Sequence, residues 1–359
     1  MPNKKQRARG FFDEEEQLEK LSKLRDPLEK LSERIDFETF RETLDGIYEK
    51  TDRKSAAGAK PYDYVLMFKI IILQRLYNLS DEQTEFQLTD RSSFKRFVGL
   101  EFSHKVPDTN TIWTFKEKLK VDENERRLFN CFYAELKKQQ LIVSEGKMVD
   151  ASFHEVPRQR NSREENKIIK EGEIPEDWQE DKNKKKLRQK DIDARWTKKN
   201  NETFYGYKNH VKADVGSKLT DDYAVTAANV HDSQTLEELL TENDAGQPLY
   251  ADSAYTGENQ EKSIENVKMR NLVHEKGYRN KPLSEAQKAS NKGKSKYRAR
   301  VEHIFGFIEN SMNGGAFMRC IGKARARVVI GLTNLAYNIC RAVQLKISMF
   351  AQKCVQTAV

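Results

Sequence analysis

Residues 146–156 have the sequence GKMVDASFHEV, and the fold class follows from how this stretch is interpreted. Lys147, Met148 and Val149 are typical of the start of a buried β-strand. The run then ends on Asp150, and a carboxylate is costly to bury unless a partner compensates its charge. The stretch therefore predicts a strand and raises the question of what Asp150 binds.

The composition indicates a soluble, highly charged and moderately basic protein. The chain has 359 residues, of which 37% are hydrophobic and 33% charged, and its formal net charge is +8. This length suits two or three structural units, or one large α/β unit with attachments. The positive charge makes nucleic acid the first partner to consider, although lysine-rich surfaces give many cytosolic proteins a similar charge.

The cysteines and the N-terminus indicate the compartment. The four cysteines are scattered and form no CxxC pair, so neither a zinc site nor a disulfide framework is indicated. The N-terminal stretch MPNKKQRARGFFDEEE lacks the apolar core of a signal peptide, and no uncharged apolar run approaches the length of a membrane span. We therefore expect a cytoplasmic protein in a reducing environment, with no membrane partner.

Changes in the hydrophobic period divide the chain. Residues 1–60 form a charged segment with apolar residues at helical spacing, followed by a linker. Residues 61–141 give only helical signals, whereas residues 142–347 give three β-type runs and then alternating helices and strands, which predicts a mixed α/β sheet. Residues 348–359 form a tail. A hydrophilic insertion at 157–200 is either a mobile loop or a basic arm that faces DNA.

The helical part contains two short helices joined by a turn-prone link, in the sequences LTDRSSFKRFVGL and VPDTNTIWTFKEKL. Asp, Ser and Thr residues before them are candidate N-caps. The pair could be a helix-turn-helix that reads DNA, or part of a plain helical bundle with a solvated basic face. In the first case the candidate DNA-binding residues are Arg91, Lys95, Arg96, Asn110 and Lys116.

Three acidic residues occupy positions that suggest chemistry. Two strand-like runs, MVDAS and LYADSAY, place Asp150 and Asp252 after apolar and before small residues, and Glu302 lies in the helical stretch YRARVEHIFGFIE. If the strands are neighbours, a helix packed across them can bring the glutamate to both aspartates. Oxygen-only ligands of this kind suit Mg²⁺ or Mn²⁺, which promote phosphodiester displacement. By spacing alone, helix caps and surface ion pairs remain alternative explanations.

Several motifs, in order along the chain, resemble one known family. They are MVDAS, YGYKNHVKAD, AANVHDSQ, YADSAYTG, RARVEHIFGFIENSM and RARVVIGLTNLAYN. Residues 150–341 resemble the catalytic domain of bacterial insertion-sequence DDE transposases of the IS-five family, and the two short helices are similar to that family's N-terminal region. The resemblance implies a ribonuclease-H-like domain preceded by an all-helical DNA-binding region. It also implies that Asp150, Asp252 and Glu302 are the catalytic acids and bind Mg²⁺, with Mn²⁺ as an alternative.

The surroundings of the third acid depart from the family's signature of Tyr, Arg, Glu and Lys. Arg298 stands four residues before that acid, as expected. Ser295 occupies the tyrosine position, with Tyr297 displaced by two residues, and Glu309 occupies the lysine position. Arg298 and Arg300 are therefore the candidates for the missing phosphate contacts.

Other polar and aromatic residues have two interpretations each. Lys208 and His210, two residues apart on a strand, project to one face and either contact the DNA backbone or have a structural role. Trp178 and Trp196 in the hydrophilic insertion either stack on unpaired bases or anchor the insertion.

These features predict a DNA transposase that binds the terminal inverted repeats of an insertion sequence and performs metal-dependent cleavage and strand transfer. Its partners would be double-stranded DNA at the transposon ends and the target, bound by a homodimer associated with the bacterial nucleoid. Two alternatives remain: a metal nuclease of the same fold without strand transfer, and a catalytically silent, domesticated DNA-binding protein. The presence of all three acids argues against the silent protein.

Overall fold

The computed structural model describes residue 10 and residues 12–49, 60–180 and 183–357. Within these residues, eight α-helices precede residue 141, and a mixed sheet with further helices follows, which confirms the predicted fold class. Most of the predicted linker before residue 61 lies outside the described residues. The helices of the first part are α1 (Asp13–Lys23), α2 (Pro27–Arg34), α3 (Arg41–Tyr48), α4 (Tyr64–Leu76), α5 (Asp81–Asp90), α6 (Ser92–Val98), α7 (Thr109–Leu119) and α8 (Asn124–Lys138).

Side-chain caps mark the start of four helices of this first part, α2, α4, α5 and α7. Ser80 caps α5 in a capping box with Gln83. Asp108 caps α7 by accepting a hydrogen bond from the backbone N–H of Thr111 at 2.8 Å. α6 ends at Gly99, whose φ of +84° is a left-handed conformation that favours glycine. The two predicted short helices are therefore separate helices.

Six strands form one mixed sheet in the part of the chain that the structure describes. They are β1 (Lys147–Glu155), β2 (Arg195–Lys199), β3 (Glu202–Asp214), β4 (Thr220–Ala227), β5 (Pro248–Tyr250) and β6 (Arg270–Asn271). β3 pairs antiparallel with β1 on one side and with β2 and β4 on the other. β1 pairs in parallel with β5, and β5 in parallel with β6. The antiparallel strands β4, β3 and β1, continued by the parallel strands β5 and β6, give the sheet of a ribonuclease-H-like fold, and β2 is added at the other end of β3.

The two faces of this sheet are covered by different layers. The remaining helices are α9 (Arg163–Lys170), α10 (Glu176–Gln179), α11 (Lys184–Arg188), α12 (Leu236–Leu239), α13 (Glu258–Asn266), α14 (Glu285–Arg298), α15 (Glu302–Gly306) and α16 (Lys323–Thr357). Val149 of β1 packs in a small core with α12 and α13. Its neighbour Met148 packs in a larger core with α16 and the helices of the first part. Successive side chains of a strand point to opposite faces, so β1 serves both cores.

Helix α16 joins the helical part of the protein to the sheet. It contacts α2, α4, α7 and α8 as well as β3 and β4. Asn334 exchanges two hydrogen bonds with Asn209 of β3, at 2.9 and 3.0 Å. Asn338 donates to and accepts from the backbone of Thr220 at 2.8 Å in each direction. These paired, buried amides fix the position of α16 on the sheet.

The same helix is long and apolar. The segment Lys323–Met349 could cross a membrane by length and composition, and it is the single such helix among the described residues. However, 67% of its most apolar stretch is buried inside the protein. This burial is the pattern of a core helix, and it explains why the stretch is so hydrophobic.

The hydrophilic insertion at 157–200 contains three short helices and β2. Trp178 is fully buried, and its indole Nε1 donates to Glu165 at 2.8 Å. Trp178 therefore holds the helices of the insertion together. Trp196 is 43% exposed and packs on the ring of Tyr205 at 4.7 Å between centroids.

The shared core predicts that the helical part is not independently stable. We expect a fragment ending at Leu141 to lose cooperative thermal unfolding, because removal of α16 exposes apolar surface of α4 and α8. Near-ultraviolet circular dichroism during heating tests this, with the full chain as the control. A sharp, cooperative transition in the fragment would contradict the expectation.

Candidate active site

The pairing of β1 with β5 brings two of the predicted acids together. Met148 of β1 is aligned with Tyr250 of β5 in the parallel ladder. Asp150 lies two residues further along β1, and Asp252 lies two residues beyond the end of β5. Both acids are therefore near the carboxyl end of β5, where the charge of Asp252 acts on Asp150. Asp252 also caps a short turn, because its Oδ1 accepts from the backbone N–H of Ala254 at 2.8 Å. The turn holds this carboxylate at the edge.

The third acid reaches the same place through Arg298. This arginine is the last residue of α14, and its guanidinium donates to Oδ2 of Asp150 at 3.3 Å and to Oε1 of Glu302 at 3.0 Å. A short 3₁₀ segment, Ala299–Val301, separates it from Glu302, the first residue of α15. The side chain of Glu302 is 63% exposed. One arginine fork thus connects the strand acid to the helix acid.

The environment of Asp150 disfavours its charge. Burial raises the pKa of Asp150 to about 6, and the negative charge of Asp252 contributes to the rise. Two contacts lower this pKa in part. Asp150 accepts a hydrogen bond from the backbone N–H of Ala151 at 2.8 Å, and the positive charge of Arg298 lies nearby. The residues that the structure describes therefore compensate the negative charge of ionised Asp150 only in part.

A divalent metal ion fits these ligands by chemistry. The three side chains offer only carboxylate oxygens, and a cation would supply the charge that Asp150 lacks. Among the residues that the structure describes, however, no three His, Cys, Asp or Glu side chains are close enough together to hold a metal ion. Arg298 is the cation that contacts both Asp150 and Glu302 here.

Two further residues at this site were not predicted. Tyr255 is buried, and its hydroxyl has no hydrogen-bond partner among the described residues. Burial raises the pKa of Tyr255, and the charges of Asp150 and Asp252 raise it further. His274 follows β6, and burial together with Arg298 lowers its pKa. Tyr255 stands within the quoted motif YADSAYTG, whereas no sequence pattern distinguished His274.

The residues that depart from the family signature have other partners. Ser295, at the tyrosine position, lies 3.3 Å from Nε2 of His274. Tyr297 stacks on Tyr250 at 4.8 Å between ring centroids. Arg300 donates to a backbone carbonyl at 2.9 Å and lies over the ring of Tyr297. Glu309 is exposed on a single π-helical turn. Of the two candidate arginines, Arg298 is therefore the one that contacts the acids.

Lys208 and His210 lie away from this cluster. They pair across the ladder with Phe153 and Ala151, which alternate with Asp150 along β1, so they project to the opposite face of the sheet. Both are buried. Lys208 donates to Asp232 at 2.7 Å, and His210 shares a hydrogen bond with Thr226 at 2.8 Å. The structure thus gives each of them a protein partner.

The candidate DNA-binding residues of the helical part fall into two groups. Arg91 and Asn110 are exposed, although Arg91 also lies over the ring of Phe94. The other three have protein partners. Lys95 is buried and donates to the carbonyl of Phe102 at 3.1 Å, Arg96 pairs with Asp26 at 2.7 Å, and Lys116 pairs with Asp81.

Comparisons with known proteins agree with this architecture. A family model described as a transposase domain (DUF772) matches residues 16–118, and the model of the transposase DDE domain matches residues 144–339, more than half of the chain. The solved structure of piggyBac transposase in a synaptic complex with hairpin DNA is similar at 12% identity, with a TM-score of 0.43, over 88% of this chain and 75% of that one. The matched DDE domain includes Asp150, Asp252 and Glu302, and the chain belongs to the family of transposases that carry a DDE domain.

Proposed function

We propose that this DNA transposase binds the terminal inverted repeats of an insertion sequence, cleaves DNA at their ends and transfers the freed 3′ ends to target DNA. The observation that carries the proposal is the cluster at the edge of the sheet, where Arg298 contacts Asp150 and Glu302 beside Asp252. This cluster lies inside the matched DDE domain.

Membership of the DDE family implies dependence on a divalent metal ion. We propose Mg²⁺, replaceable by Mn²⁺, held by the carboxylates of Asp150, Asp252 and Glu302. The ion supplies Lewis-acid activation of the attacking oxygen and stabilisation of the leaving oxygen. The raised pKa of Asp150 supports a cation at this point, because a cation stabilises its ionised form.

The protein side chains position the DNA around this cluster. Arg298 carries a planar fork of donors, so it can bind a phosphate near the scissile bond when it leaves the two carboxylates. The backbone N–H groups of Ala151 and Ala254 hold Asp150 and Asp252 in fixed orientations. Precise placement of reacting groups accounts for a large share of catalysis in phosphoryl transfer.

DNA recognition is assigned to the helical part. Arg91 and Asn110 are the exposed candidates there, and the remaining basic candidates stabilise the helices from which DNA is contacted. An insertion sequence has two ends, so we propose a homodimer on DNA in the cytoplasm.

The test of the proposed function is incubation of the full chain with Mg²⁺ and the DNA that flanks its gene, followed by sequencing of cleaved and joined ends. Cleavage without joining would instead identify a metal nuclease, and binding without cleavage would identify a silent DNA-binding protein.

Removal of any of the three acids tests the active site. We expect Asp150→Ala, Asp252→Ala and Glu302→Ala each to abolish Mg²⁺-dependent cleavage while end binding changes little, because the acids hold the metal ion and not the duplex. Gel-based cleavage and equilibrium binding on one end substrate measure both effects. A variant that retains normal cleavage would remove that residue from the site.

The charge of Asp150 predicts a pH-dependent effect on stability. Burial raises the pKa of Asp150 in the folded protein to about 6, from an ordinary value of 3.8. Ionisation of Asp150 therefore destabilises the fold as pH rises through this window, and the cost is complete above pH 6. We expect Asp150→Asn to raise the melting temperature of the metal-free protein by a few degrees at pH 8. Near pH 4 the difference should be much smaller, because most Asp150 then carries a proton. A variant that is less stable at pH 8 would contradict the expectation.

Arg298 and Glu309 provide a matched pair of substitutions. We expect Arg298→Ala to reduce cleavage by roughly a hundredfold or more, the scale for loss of one charge-stabilising donor. Glu309→Lys should keep or raise activity, because Glu309 is exposed and its replacement removes a negative charge and adds a cation that can attract DNA. Both are measured on one end substrate. A severe loss in Glu309→Lys with little loss in Arg298→Ala would contradict the assignment of Arg298 to the DNA phosphate.

A further inference from the structure

A cavity of about 200 Å³ lies at the junction of the helical part and the catalytic part, away from the three acids. We call it the Arg75 cavity. Its lining comes from the end of α4, the start of α5, one side of α7 and the chain from residue 319 into α16. The lining includes the side chains of Arg75, Asp81, Trp113, Lys116, Arg319 and Arg325.

Arg75 is the feature that distinguishes this cavity. It belongs to α4, a mostly apolar helix, and is only 9% exposed. Its guanidinium makes no hydrogen bond and no ion pair within the described residues, and burial lowers the pKa of Arg75 to about 10, which still leaves it charged at neutral pH. A buried and unpaired cation is costly, so the fold retains a positive charge that it does not itself neutralise.

The acids that line the cavity are already paired with other cations. The charge of Asp81 offsets the effect of burial on Arg75 only in part, because the pKa of Arg75 is lowered overall. Asp81 is bonded to Lys116, and Glu117 accepts from Arg325 at 2.6 and 2.9 Å. Arg319 donates to the carbonyl of Asn78 at 3.2 Å. The two acids of the cavity thus have lysine or arginine partners, and the guanidinium of Arg75 remains as the charge that needs an anion.

We propose that the Arg75 cavity binds a phosphodiester group of the DNA backbone, at a site separate from the acids. This proposal rests on the proposed function, which makes DNA the anionic partner. A planar guanidinium presents paired donors that match two phosphate oxygens. Trp113, which is 48% exposed at the rim, offers a flat apolar surface to the adjacent sugar or base.

The experiment compares salt titrations of the full chain and its variants on one duplex of random sequence. Each phosphate contact contributes a slope of about 0.9 in a plot of log Kobs against log salt concentration. We expect Arg75→Met to lower this slope by about one contact and to weaken binding by a factor of roughly 10 to 100, as for loss of a charge-assisted hydrogen bond. The melting temperature of the DNA-free variant should be unchanged or higher, because the substitution removes an unpaired buried charge.

Two variants control for folding and for general charge. Arg75→Lys keeps the charge and should retain the slope while losing affinity several-fold. This variant tests the planar guanidinium of Arg75 even if Arg75→Met does not fold. Lys69→Met removes a half-buried cation from the same helix outside the cavity and should leave the slope unchanged. Equal losses in Lys69→Met and Arg75→Met would overturn the proposal.

A second arm distinguishes DNA from a free anion. Inorganic phosphate is added to the wild type and to Arg75→Met, and the melting temperatures are compared. A phosphate-dependent rise in the wild type alone, with equal DNA slopes, would identify a free phosphate site and overturn the assignment to DNA. Normal Mg²⁺-dependent strand transfer by the wild type in either case leaves the proposed function intact, so the two failures are separable.

Discussion

The short parallel contact between β1 and β5 is the constraint on which the site depends. It consists of two aligned pairs, Lys147 with Leu249 and Met148 with Tyr250. On its other side β1 is paired with β3 along its whole length, so β1 is held rigidly. Both acids follow the last aligned pair of β1 and β5, so this pairing determines how they stand relative to each other. A shift of one residue in this register would turn one aspartate to the other face of the sheet.

Local patterns were sufficient to predict many of the helices and strands, because capping and strand period are properties of neighbouring residues. The capping box of Ser80 with Gln83, the strand that carries Asp150 and the strand that precedes Asp252 are of this kind. The role of the acids as metal ligands stays a prediction that rests on the family resemblance. The partner of Arg298 was not predictable in this way, because Asp150 lies 148 positions away in the sequence. Period two placed Lys208 and His210 correctly on one face, but only the assembled sheet shows that this face is covered.

Buried charges in this protein differ in whether the fold compensates them. Lys212 and Asp244 pair at 2.7 Å with both side chains almost fully buried, so their charges balance inside the protein. Arg75 has no such partner among the described residues, and Asp150 has an incomplete one in Arg298. Since an uncompensated buried charge destabilises a fold, its retention indicates a ligand of opposite sign. By this criterion, the proposed ligand at Arg75 is an anion and the proposed ligand at Asp150 is a cation.

Arg75 and Asp150 are connected by one packed core. Arg75 lies on α4, which packs against α16, and α16 is fixed to β3 by the paired amides of Asn334 and Asn209. β3 in turn holds β1 and therefore Asp150. Close-packed interiors deform little, so a phosphate held at Arg75 has a defined distance to the acids. If the proposed phosphate site is correct, we therefore expect the position of cleavage to be fixed relative to the phosphate that Arg75 binds.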